Sequence, residues 1–117
     1  MAEFHPFTSV FDDDVAVRHP YFRDTAVDMD ESGTYTDLAA ATTNNRARRW
    51  THHLGHIVSS VIDAGLTIHH LHELAETPER RWPFLIRDAE RGTYRFPPSP
   101  PCLPLVYTLS ARKPDRR

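Results

Sequence analysis

The residues best able to do chemistry in this 117-residue chain are eight histidines and one cysteine. His52 and His56 stand four apart, which places two imidazoles on one helical face at the spacing that two ligands of one Zn²⁺ require. No glutamate follows the first histidine and no third ligand lies nearby, so solvent-facing helix residues are the favoured reading. His69, His70 and His72 fall in a stretch that reads as a strand. There His70 and His72 share a face with Leu66 and Ile68, and His69 points away. The pair has metal-ligand spacing, but exposed or structural histidines are the plainer reading, and no metal is expected. Cys102 sits among prolines with no helix N-terminus and no base beside it, so nothing lowers its thiol pKa toward a nucleophile. The run Asp12–Asp14 reads as a solvated turn rather than a working carboxylate pair. The four glycines, at 33, 55, 65 and 92, form neither a GxGxxG phosphate cradle nor a GxSxG elbow. A catalytic residue therefore cannot be named from the residues alone.

The elements that must position these groups are few. Leu54, Ile57, Val58, Val61 and Ile62 recur at helical spacing, which predicts an amphipathic helix over 51–64 with Thr51 as N-cap and Gly65 as the left-handed residue beyond its end. Leu66–Glu73 follows almost at once as a strand. Helix, glycine, strand is half of an α/β unit. Upstream, 1–11 reads as the end of a strand entering a loop, Val15–Phe22 as a short strand, Ala26–Tyr35 as a half-exposed strand closing on Ser32-Gly33, and 37–45 as a linker. Downstream, 76–83 reads as a loop, and Phe84–Ile86 with Thr93–Phe96 as a hairpin. Pro97–Pro104 is an extended connector, since five of its eight residues lack a donor N–H. Leu105–Arg112 is a closing strand and 113–117 a charged tail.

Charge is segregated. Residues 1–45 hold nine acids and two arginines, net −7, and residues 46–117 hold seven acids and twelve bases, net +5. Two such halves attract each other within one domain. The bases form no stripe with interleaved aromatics, so nucleic acid is not an expected partner. The apolar runs are too short for a membrane span. A single cysteine allows no internal disulfide, and the first ten residues lack the character of a signal peptide, which makes the cytoplasm the expected compartment.

Four ordered segments carry a resemblance: Glu3-Phe4-His5-Pro6-Phe7, His19-Pro20-Tyr21-Phe22, Gly33-Thr34-Tyr35-Thr36-Asp37, and Trp50-Thr51-His52-His53-Leu54-Gly55-His56-Ile57-Val58. The last continues into Ile62-Asp63-Ala64-Gly65-Leu66 and Leu71-His72-Glu73. Together with Trp82-Pro83-Phe84 and Leu103-Pro104-Leu105, they resemble the C-terminal part of bacterial class I SAM-dependent methyltransferases of the small-molecule type, across nearly the whole chain. His56 departs from a usually acidic position and His70 from a usually apolar or aromatic one.

The resemblance implies an α/β fold, a C-terminal fragment of a Rossmann-like methyltransferase sheet. The chain would start at the last residues of strand five, which Glu3-Phe4-His5-Pro6 follows, with 15–35 an insertion of strands, 51–64 the last crossover helix, 66–73 strand six, and 104–112 an antiparallel strand seven between strands five and six. Residues 1–117 would form one partial domain: a substrate-side insertion at 1–45, helix and closing strands at 46–112, and the tail. His5, Tyr21, Trp50 and His52 would line the substrate side, where a histidine can orient or deprotonate a nucleophile. The partner would be a small-molecule methyl acceptor. The family's cofactor is S-adenosyl-L-methionine (SAM), but its glycine-rich turn and ribose carboxylate would lie upstream of Met1. None of these residues would hold SAM alone. A misplaced start, a truncated gene or a second, complementing chain would each account for that, and the uncovered sheet edge implies self-association. A non-catalytic partner module and a histidine metal binder are the rival readings.

Overall fold

The computed structural model describes residues 1–23, 25–34, 36–37 and 39–115. Tyr35, at the end of the strand expected over 26–35 and in the third family-like segment, lies outside them, as do Asp24, Leu38 and the tail residues Arg116 and Arg117. The chain forms β1 (Ala2–Phe4), a 3₁₀ turn (Pro6–Val10), β2 (Val27–Asp30), β3 (Arg46–Arg49), α1 (Leu54–Asp63), β4 (Thr67–Leu74), β5 (Glu76–Thr77), β6 (Ile86–Arg87), β7 (Tyr94–Arg95) and β8 (Val106–Arg112). These strands make three small sheets, ordered β1-β8-β4, β2-β3 and β5-β7-β6, and every pairing among the described strands is antiparallel.

This topology overturns the expected fold class. The structure is a set of small antiparallel sheets with one helix, not a Rossmann-like α/β fragment. A crossover helix joins two parallel strands of one sheet. Here α1 follows β3, which among the described strands pairs with β2 alone, and leads into β4 of a different sheet. The order helix, glycine, strand carries no information about which strand precedes the helix in space, and that is where the sequence reading failed.

Several local expectations also shift. The helix is capped by His53 rather than Thr51. Gly65 does adopt the left-handed conformation (φ 75°) that ends the helix, and its N–H donates to the Ile62 carbonyl. Val15–Phe22 contributes only an isolated bridge between Phe11 and Val17. The segment after the expected linker forms β3, whose arginines face an acidic partner strand. Arg48 lies opposite Asp28 and donates to both its carboxylate oxygens at 2.6 and 3.0 Å. This hydrogen bonding holds the Asp28 carboxyl below its usual range.

The core sits at one end of the β1-β8-β4 sheet. Trp82, Leu85, Phe96 and Leu105 are buried, with Phe4 and Val106 packed against them. Phe4 and Val106 are direct cross-strand neighbours, so they share a sheet face. On the opposite face Tyr107 and Leu109 are buried. Burial pushes the Tyr107 phenol above its usual pKa, with Glu3 across the strand adding to the effect. The helix contributes no fully buried residue: Leu54, Ile57, Val58 and Val61 are half-buried, and Ile62 is 56% exposed. Among the described residues no helix is long and apolar enough to cross a membrane.

Candidate functional site: an aromatic and histidine wall at the helix N-terminus

The start of α1 is built from three distant parts of the chain. The first turn of any helix leaves N–H groups without intrahelical partners. Two are satisfied here by side chains: Tyr21 Oη accepts from the Leu54 amide at 3.0 Å, and His53 Nδ1 accepts from the His56 amide at 3.1 Å. An amide can only donate, so Nδ1 of His53 must carry a lone pair, and in the neutral ring the proton sits on Nε2. Gly55 leaves room for this ring: a Cβ there would stand 3.4 Å from His53 Nδ1.

Around these caps the rings meet edge to face. Phe7 contacts Phe11 (5.5 Å between centroids) and Tyr21 (5.7 Å). Tyr21 contacts Phe22 (5.0 Å), and Phe22 contacts His53 (5.1 Å). His52 lies edge-on to His56 at 5.1 Å, while His53 is tilted to it by 40° at 5.7 Å. Edge-to-face contact is the favoured geometry for such rings. The outer member, Phe22, is 71% exposed, so the wall presents an open aromatic face with imidazole N–H groups beside it. Such a face can stack against a planar group and donate a hydrogen bond to it.

The four residues expected on the substrate side are not gathered in one place. Tyr21 and His52 both lie at the helix N-terminus, Tyr21 as a cap and His52 exposed against His56. Trp50 follows β3 and is 60% exposed, with no ring contact among the described residues. His5 lies elsewhere. It is 5% exposed, packs edge-on to Tyr107, accepts from the Phe7 amide through Nδ1 (3.1 Å) and meets Glu73 Oε1 through Nε2 (2.7 Å). Both ring nitrogens are engaged, so the neutral ring has no lone pair left with which to take a proton from a substrate. Among the described residues Phe7 links it to the wall, its amide donating to His5 and its ring lying on Tyr21.

Sequence reasoning missed Phe7, Phe22, His53 and Glu73. The aromatic pair Tyr21-Phe22 after Pro20 was a usable signal; the capping role of His53 was hidden by Thr51, the commoner N-cap type. A separate open groove of about 390 Å³ lies along the proline connector, lined by Glu76, Arg95, Phe96 and Cys102 among others, and none of the expected residues reaches it. Among the described residues no group of three or more His, Cys, Asp or Glu side chains is placed to hold a metal ion. In comparisons with known proteins, no family model, no curated protein and no solved structure matches the chain.

Proposed function

We propose that residues 1–117 supply the substrate side of a SAM-dependent methyltransferase and work packed against a protein surface that holds the methyl donor. The observation that carries this reading is the incomplete burial of α1, an amphipathic helix with no fully buried residue. A helix with an apolar stripe gains its stability from covering that stripe. A surface laid over Ile62 and its neighbours would complete the helix and bring a donor site beside the aromatic wall. In this role Phe7, Tyr21, Phe22 and His53 hold a planar acceptor, and His53 and His52 orient its polar group. No proton-transfer step is assigned to His5, whose nitrogens are occupied.

The same uncovered helix also favours a second reading, a non-catalytic partner module that docks through α1 with no small molecule on the wall. Calorimetric titration of the chain with SAM tests the first part of the proposal. No binding is expected, and micromolar binding by this chain alone would contradict it. Binding of a planar aromatic acceptor at the wall separates the two readings, since the docking module has no use for one.

A further inference from the structure

The sheet face that carries Phe4 and Val106 is covered by the Trp82 core at one end only. Along β8 the same face continues through Thr108 and Ser110, and their direct partners on β4 are His72 and His70. Directly opposed residues of an antiparallel pair lie on one face, so both imidazoles project on this open side. The ladder shifts register between Ile68 and His70, which frees His69 from pairing and brings the next two histidines into step with β8. Both rings are exposed, and they lie parallel with centroids 4.7 Å apart and 16° between planes. Neither has a hydrogen-bond partner among the described residues, so all their ring nitrogens are available to a ligand. Their cross-strand neighbours are small hydroxyl residues, which leave the space above the pair open.

We propose that His70 and His72 form a two-histidine chelate for a late first-row divalent cation such as Zn²⁺, Ni²⁺ or Cu²⁺, with water in the remaining positions. Imidazole is a preferred ligand for these ions. At metal–nitrogen distances of about 2.0–2.1 Å, two nitrogens of a tetrahedral ion lie about 3.3 Å apart. The two rings stand on one strand face with centroids 4.7 Å apart, and to bring one nitrogen of each onto a common ion they turn out of their parallel stack. The competing pair, His52 and His56, is less suited. It sits at a helix N-terminus, where the peptide dipoles oppose a cation. Among the described residues no carboxylate hydrogen-bonds either β4 histidine, so the site is exchangeable rather than structural.

The test is a calorimetric titration of the whole chain with Zn²⁺ and with Ni²⁺, repeated on His70→Gln, His72→Gln and the double variant His52→Gln/His56→Gln. One ion per chain is expected, with affinity weakened more than about tenfold by either β4 substitution and unchanged in the helix variant. Both β4 side chains are exposed, so the variants should keep the wild-type melting curve without metal. Absence of saturable binding by the wild type would overturn the proposal, as would binding that is lost only in the helix variant or retained in both β4 variants. The proposal is independent of the methyl-acceptor reading, because the pair is on β4 and not on the aromatic wall.

Discussion

Replacing His5 separates a structural histidine from a catalytic one. In His5→Ala, the Phe7 amide loses its only side-chain acceptor, at a cost of about 1 kcal/mol for a partly buried orphan donor. The contact with Glu73 is worth less, roughly 0.5 kcal/mol, because that carboxylate is 54% exposed and the attraction is screened by water. Loss of the ring against Tyr107 adds about 1–1.5 kcal/mol. The sum is about 3 kcal/mol, large for a chain whose helix is incompletely covered. His5→Asn should recover about 1 kcal/mol, since its side-chain oxygen can accept from the Phe7 amide as Asn does at helix caps. Glu73→Gln should cost less than about 0.5 kcal/mol, because the amide oxygen still accepts from Nε2. Urea unfolding followed by circular dichroism reads all three. If His5→Ala lay within about 0.5 kcal/mol of wild type, or if Asn were no better than Ala, the ring would not be held as described.

Tyr21→Phe keeps the aromatic wall but removes the acceptor for the Leu54 amide; hydrogen exchange at Leu54 should speed up about fivefold, matching roughly 1 kcal/mol of lost cap. Asp28 has a depressed folded-state pKa, so its contribution is present above the unfolded value and is lost as pH falls through the folded one; chemical shifts of β2 and β3 followed below about pH 4 should report separation of these strands before the β1-β8-β4 sheet changes. Ile62→Glu should leave folding stability within about 0.5 kcal/mol, because the side chain is more than half exposed, while reducing any concentration-dependent association seen by sedimentation velocity.

Local order was legible in the sequence where one period dominated. The stripe from Leu54 to Ile62 marked the helix, and the alternation of Leu105, Tyr107 and Leu109 marked the closing strand, and all three residues are buried. Pairing was not legible. Nothing local to Arg46-Ala47-Arg48-Arg49 says that it faces Val27–Asp30, a contact built on charge across a long loop. The fold class failed for the same reason, since the identity of the strand before α1 is a non-local fact. Of the expected site residues, Tyr21 and His52 meet at one place because a tyrosine hydroxyl happens to cap the helix that carries the histidines. His5 went to a different partner, Glu73, 68 residues away, which no spacing rule could pair with it.

The most direct test of the account is an NMR titration of the labelled chain with a panel of small planar aromatic compounds bearing hydroxyl or amine groups. The account predicts saturable shifts confined to Phe7, Tyr21, Phe22, His52, His53 and the first turn of α1, abolished by Phe22→Ala. Saturable shifts centred elsewhere, for example on the groove beside Phe96 and Cys102, or no shift from any compound, would contradict the assignment of this wall to a methyl acceptor.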